Sequence, residues 1–299
     1  MTTPPDAARQ GRVRIGISGW RYPGWRGHFY PPGLRQRDEL AYAARHFDTI
    51  EINGTHYSLQ RPDFFARWHD ETPDGFVFAV KGSRFVTHMK QLRDIEAPLA
   101  NFFAQGILRL GAKLGPILWQ FPPRFCFEPE KLATFFALLP RDTTVAADLA
   151  RRHDHRLLGR AWTATDRRRR LRHAVEVRHR SFFNPDFTAL LRRHGIALVA
   201  ADAAGLPYAE DMTAGFVYMR LHGAQELYAS GYSDAELDRW AARIAAWRAG
   251  EQPAEPQLID PQRHPPRRPR DVYVYFDNDA KVRAPFDAQA LRRRLGATV

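Results

Sequence analysis

Short apolar runs that end in charged or hydrogen-bonding residues punctuate this chain, and they restrict its fold more than any other feature. Thr49-Ile-Glu-Ile-Asn53, Phe76-Val-Phe-Ala-Val-Lys81, Ala174-Val-Glu-Val-Arg-His179 and Tyr218-Met-Arg-Leu-His222 all show the pattern. An isolated charge at an apolar position is strongly unfavourable unless it is paired or used. Its recurrence at domain-wide intervals along 299 residues points to one site at which several strands end.

Eight such runs read as strands: Val13 to Ser18, Thr49 to Asn53, Phe76 to Lys81, Pro116 to Phe121, Ala174 to Arg178, Ile196 to Asp202, Phe216 to His222 and Val272 to Asp277. Most lack polar alternation, so both faces of the sheet are covered, as in parallel α/β proteins. Helical spacing appears between them, over Asp38 to Phe47 and Pro98 to Leu110. Ser233-Asp-Ala-Glu236 is a capping box ahead of Leu237, Trp240, Ile244 and Trp247, and a closing helix is predicted over Asp287 to Leu295. The alternation favours an α/β fold, a single (β/α)8 TIM-type barrel over 12–299 with a flexible N-terminus at 1–11. An open doubly wound sheet is the alternative.

Two segments break the rhythm. Between Arg151 and His173 there are nine arginines against two aspartates, and 142–172 reads as an arginine-rich insertion before the fifth strand. A solvated or mobile loop is the plain reading; a nucleic-acid contact is the other. Gly250 to Arg270 carries six prolines, which makes it a surface loop.

The net charge of +12 is compatible with a polyanionic partner, but 40 of the 45 basic residues are arginine, which also fits a compositional bias. No apolar stretch approaches a membrane span, and no secretory h-region is visible near the N-terminus. With the single Cys126, outside any zinc-type spacing, this predicts a cytoplasmic protein without disulfides.

In a barrel, catalytic groups come from the C-terminal ends of the strands and the loops that follow them. Glu51 and Asn53 share a face of the second strand, Lys81 ends the third and Gln120 the fourth; Glu176 and Arg178 share a face of the fifth. Asp202 ends the sixth, Arg220 and His222 share a face of the seventh, and Asp277, Asn278 and Asp279 close the eighth. Such groups can be buried ion pairs; their number favours a functional site. Glu51 and Glu176 are the candidate general acid/base groups, since burial raises a carboxyl toward neutral pKa. Lys81 is an electrostatic clamp or an amine nucleophile, and His222 a proton shuttle. Arg178 and Arg220 suit a carboxylate or phosphate.

Trp20 and Tyr22, in the arginine- and aromatic-rich loop after the first strand, can stack a base or sugar ring or plug the barrel end. Ser83 and His88 offer further donors, and Tyr57 and Asn278 complete the substrate-binding set. Glu51, Glu176, Asp202 and His222 are acceptable ligands for a divalent ion, but the basic residues around them disfavour one, and no metal site or other cofactor is assigned.

The blocks Ile17-Ser-Gly-Trp20 with Tyr22 and Trp25, Thr49 to Asn53 with Thr55 and Tyr57, and Phe78-Ala-Val-Lys81 with Ser83-Arg84 and Thr87-His88 resemble the YecE-like family, domain of unknown function 72. Leu114-Gly-Pro116 with Gln120-Phe-Pro-Pro123, Ala174-Val-Glu176 with Arg178-His179, Arg220-Leu-His-Gly223 and Val272 to Asp279 continue the resemblance in order over nearly the whole chain. It implies a TIM-type barrel, compared at fold level with sugar isomerases and endonuclease-IV-like repair enzymes, and it supplies no reaction. Gly54 and His56 stand where the resemblance leads one to expect a serine and an aromatic residue.

Three functions remain open. One is an enzyme, a hydrolase, lyase or isomerase, acting on an anionic sugar or nucleotide at the barrel mouth. The others are a nucleic-acid-binding protein or nuclease using 151–172, and a non-catalytic interaction module.

Overall fold

The computed structural model describes residues 10–223 and 230–296, so the N-terminus expected to be flexible over 1–11 falls almost wholly outside the described residues. The strands are β1 Val13–Ser18, β2 Thr49–Ile52, β3 Val77–Lys81, β4 Leu114–Gln120, β5 His173–Glu176, β6 Ala197–Asp202, β7 Phe216–Leu221 and β8 Asp271–Phe276. They form a closed parallel barrel in chain order, and β8 pairs back onto β1 from Val13↔Val272 to Ile17↔Phe276. Closure removes every sheet edge, which an open sheet could not do.

The helices among the described residues are α1 Glu39–His46, α2 Gly54–Tyr57, α3 Pro62–Asp70, α4 Glu96–Ala104, α5 Pro129–Leu138, α6 Thr143–Ala150, α7 Pro185–His194, α8 Asp234–Ala249 and α9 Arg283–Arg294. α8 starts at the predicted capping box: the Glu236 amide donates to Ser233 Oγ (3.3 Å) and the Ser233 amide to Glu236 Oε2 (2.7 Å). α9 begins a turn earlier than its pattern suggests, with Pro285 inside its first turn. No helix is long and apolar enough to cross a membrane.

Strand alternation separates two cores. Phe78 and Val80 of β3, or Val217 and Met219 of β7, face outward into the large cluster shared with the helices. Ala79, Leu118, Ala174, Val199, Tyr218 and Tyr275 fill the barrel interior, where the Tyr218 and Tyr275 rings lie 5.1 Å apart. Small residues on one side of the barrel make room for large tyrosines on the other. Gly16 fits the same rule, since a Cβ there would meet the Thr49 carbonyl oxygen at 1.8 Å.

Within 142–172, expected to be a solvated insertion, most of 151–170 is exposed, whereas 143–150 form the packed helix α6. Asp142 caps α6, accepting from the amides of Thr144 and Val145 at 3.0 Å each, and Ala146, Ala147 and Ala150 bury the helix's apolar face in the core it shares with α4. Several of the arginines that follow are paired locally. Arg168 bonds Asp142 (2.8 Å), Arg169 bonds Asp166 through both nitrogens of its fork, and Arg172 bonds Asp271 (3.0 Å) and the Tyr273 hydroxyl. Arg172 precedes β5 and Asp271 opens β8, so this run reaches the barrel at the strands' N-terminal ends, away from the mouth. Residues 251–270 form an irregular connection, as their prolines require.

Candidate functional site

Inward-facing residues near the C-terminal ends of the strands are polar where those deeper in the barrel are apolar. Ser18, Glu51, Gln120, Glu176 and Arg220 are all buried, with Asp277 just beyond β8. Arg220 is the hub. Its Nη1 donates to Glu176 Oε2 (2.8 Å), and its Nη2 donates to Glu51 Oε1 (2.9 Å), Asp277 Oδ2 (2.8 Å) and Ser18 Oγ (3.1 Å). Tyr218 donates its hydroxyl to Glu51 Oε2, Gln120 donates to Glu176 Oε1 (2.8 Å), and Arg178 closes on the same oxygen (2.8 Å). His222 Nδ1 lies 3.1 Å from Asp277 Oδ2.

This network fixes its own charges. Burial alone would raise the Glu176 pKa, but Arg178 and Arg220 hold it well below the usual carboxylate range. Asp277 follows the same logic, with burial opposed by Arg220 and His222, and is also held low. The Arg220 guanidinium, despite complete burial, is held more firmly protonated by Glu51, Asp277 and Glu176. Every carboxylate here has a cation or hydroxyl in place, which is the condition for a buried charge to persist.

Beside the network opens a cavity of about 720 Å³, walled by the β1, β2 and β3 loops and by the loop after β8. Lys81 lines it, and among the described residues its ammonium makes no hydrogen bond or ion pair. Burial, then the Arg220 charge, lowers the Lys81 pKa. Asp279 lines it too, and burial together with repulsion from Asp277 raises its carboxyl to about 6.

His56 gives its Nδ1 to the Gly82 carbonyl at 2.8 Å, and burial followed by the Lys81 charge lowers its pKa to about 3. The ring is therefore neutral at physiological pH, and the proton on Nδ1 leaves Nε2 as an acceptor. Gly82 holds that carbonyl because any Cβ would strike the Trp119 ring at 2.3 Å. His88, packed edge-on to His56 at 5.1 Å, is lowered to about 4 by burial and then by Lys81. Trp20, packed on Trp68 at 5.3 Å, and Tyr22 supply aromatic wall; exposed Tyr57 sits at the rim with Arg84 5.4 Å from its ring centre.

The family model for "Protein of unknown function DUF72" matches residues 14–299. The chain belongs to the DUF72 family. Among curated relatives of this DUF72 chain, the UPF0759 protein YecE of Escherichia coli (strain K12) is 30% identical over 165 residues, covering 49% of this chain and 58% of the relative. The UPF0759 protein YunF of Bacillus subtilis (strain 168) is 28% identical over 126 residues, covering 40% and 44%. The matched stretch thus spans less than two thirds of these relatives' length. The crystal structure of a DUF72 family protein from Thermotoga maritima superposes with a TM-score of 0.70 at 26% identity, covering 95% of this chain and 99% of that one. A DUF72 family protein from Enterococcus faecalis shares the fold at 17% identity and a TM-score of 0.69.

Within this DUF72 barrel, the residues singled out from sequence divide into three groups. Glu51, Glu176, Arg178, Arg220 and His222 come together, but in the Arg220 network. Glu176 is acidified where sequence reasoning expected a carboxyl raised toward neutrality, because the desolvation invoked there meets two guanidinium groups. Arg220, fully buried among three carboxylates, is not placed to take a substrate anion.

Trp20, Tyr22, Asn53, Tyr57, Lys81, His88 and Gln120 line the cavity. Asp202 bonds the Tyr232 hydroxyl (2.8 Å), Asn278 braces Asp287 (2.8 Å), and Ser83 Oγ accepts from the Phe85 amide. These three do not line it. Of the four residues considered for a divalent ion, Asp202 stands apart from the Arg220 network that gathers the other three, and no group of three or more His, Cys, Asp or Glu among the described residues is arranged to hold a metal. Sequence reasoning placed Asp279 among the strand-end groups and noted His56 as a departure from the family pattern, but gave neither a role. The Asp277-Asn-Asp279 run was the signal for the first, since two acids that close repel one another; the second carries no signal beyond lying in the loop after the second strand.

Proposed function

We propose that the cavity is the active site of an enzyme acting on a small anionic substrate, a phosphate- or carboxylate-bearing sugar or a nucleotide, by general acid/base catalysis. Asp279 transfers the proton, and Arg21 and Arg84, exposed at the rim, attract the anion. The observation that carries this reading is Asp279: a carboxyl raised to about 6 in a cavity wall is poised to give and take a proton near neutral pH. The cavity volume falls within the roughly 300–1,000 Å³ of small-molecule sites. Glu51, Glu176 and His222 set the electrostatic floor, and Trp20, Tyr22 and Tyr57 supply ring-stacking surface.

The test is a thermal-shift screen of sugar phosphates, sugar acids and nucleotides, followed by turnover measured by NMR for every compound that stabilises the protein. The Asp279→Asn variant should retain binding and lose turnover, and the Arg21→Ala/Arg84→Ala pair should lose binding. Equal turnover by the Asn variant sinks the acid/base assignment. Nucleic-acid binding through 151–172 is less well supported, because the arginines at 168, 169 and 172 are engaged by Asp142, Asp166 and Asp271.

A further inference from the structure

The chain meets its need for positive charge with arginine at 40 of 45 positions, yet the basic residue on the cavity wall beside the network is a lysine. The difference is chemical. A guanidinium stays protonated throughout the physiological range, whereas an ammonium can release its proton and become a nucleophile. Other lysines are committed: Lys113 donates to the carbonyls of His69 and Thr72 at 2.6 Å, Lys131 pairs with Glu128 at 2.6 Å, and Lys90 lies 3.9 Å from Asp94. Lys81 makes no such contact with a described residue, although it is only 7% exposed and opens on a cavity large enough for a small metabolite.

We infer that Lys81 is an imine-forming nucleophile and that the substrate of the proposed active site carries an aldehyde or ketone. The inference rests on the reading of the cavity as the catalytic site and supplies the reacting group that reading leaves open. The Lys81 Nζ lone pair attacks the carbonyl carbon, forming the N–C bond while the C=O pair moves to oxygen. That oxygen takes the proton of the Asp279 carboxyl, and the nitrogen returns one of its own to the Asp279 carboxylate, leaving a neutral carbinolamine. The C–O bond then breaks, the hydroxyl leaves as water with the Asp279 proton, and the nitrogen lone pair closes the C=N bond. Amine, carbonyl compound and one proton thus give a protonated imine and one water, with no oxidant or reductant required.

The surroundings suit this sequence. Burial and Arg220 favour the neutral amine and outweigh the pull of Asp277, Glu51 and Glu176 toward the ammonium; those same carboxylates favour the cationic product, and the neutral rings of His56 and His88 add no positive charge to oppose it. Each unit by which an amine's pKa falls raises its neutral fraction at pH 7 about tenfold.

Incubation with glyceraldehyde 3-phosphate or pyruvate, reduction by borohydride and peptide mapping of all five lysines reads the outcome directly. The expected result is an adduct concentrated on Lys81, at least about tenfold over the other lysines, and absent from Lys81→Arg. The pH dependence of trinitrobenzenesulfonate labelling at Lys81 in the unaltered protein gives a second readout that no folding defect can obscure. An even spread over the lysines, or no Lys81 adduct with either probe and no enhanced labelling near neutral pH, overturns the inference. Thermal stabilisation by glyceraldehyde 3-phosphate without a Lys81 adduct would discard the imine and leave the anion-binding cavity standing. A Lys81 adduct that inorganic phosphate does not suppress would keep the imine and remove the anion.

Discussion

Two groups of charges sit side by side at the mouth of this barrel, and they are built on opposite principles. Around Arg220 every carboxylate is met by a donor, so its protonation state is fixed. On the cavity wall buried Lys81 and half-buried Asp279 have no ion-pair partner among the described residues, and their protonation states are displaced toward neutrality. A saturated network is rigid and chemically silent; charges left unsatisfied at a cavity wall are available to a ligand. Burial of a titratable group is thus no guide to function until its partners are counted.

The largest effect should come from breaking the saturated side. Arg220→Met would take from Glu51, Glu176 and Asp277 the one cation they share, a loss of about 3–5 kcal/mol, read as a lower urea midpoint. A midpoint within experimental error of the parent would show that the network is not what holds the strand ends together. On the unsatisfied side, Asp279→Asn should cut turnover of an identified substrate by about 10²–10⁴ while leaving the fold intact.

Its effect on stability has a definite sign. The Asp279 carboxyl titrates at about 6 in the folded chain against 3.8 for the free group, so folding disfavours its ionised form. The stability it contributes is full below 3.8 and is lost as pH rises through about 6. Denaturation of the Asn variant at several pH values should show that decline removed; an unchanged pH profile would contradict the assignment.

Tyr218→Phe, which deprives Glu51 Oε2 of its donor, should cost about 1–3 kcal/mol in the same denaturation experiment. The smallest effect belongs to the far end of the barrel. Arg169→Ala removes an ion pair with half-exposed Asp166 and should cost at most about 1 kcal/mol, with no change in ligand binding at the mouth. Loss of binding there would mean that the arginine run and the cavity are coupled.

The barrel was legible because its signals are local: eight apolar runs, each found within a residue or two of its strand, and a capping box that caps α8. α6 was obscured by the arginines that follow it, although Asp142 before Thr143-Thr144 is an N-cap signal of the ordinary kind. Which polar strand ends pair with one another was not legible, because it depends on barrel register. Glu176 and Lys81 look alike in sequence, each a charge closing an apolar run. Only the closed sheet sets two arginines beside the first and an open cavity beside the second.

The Arg220 network also bears on the order of assembly. It joins residues 202 and 169 positions apart, Ser18 and Glu51 to Arg220, and draws on β1, β2, β5 and β7 together with the turn after β8. Contacts of such long range carry the greatest loop-closure cost and are typical of late steps in folding. Until the last strand docks on the first, the three carboxylates stay hydrated and the barrel can breathe open without penalty from them. Once it docks, they resist separation of the chain's two halves. The cluster therefore acts as a clasp on the ring, slowing unfolding more than it speeds folding.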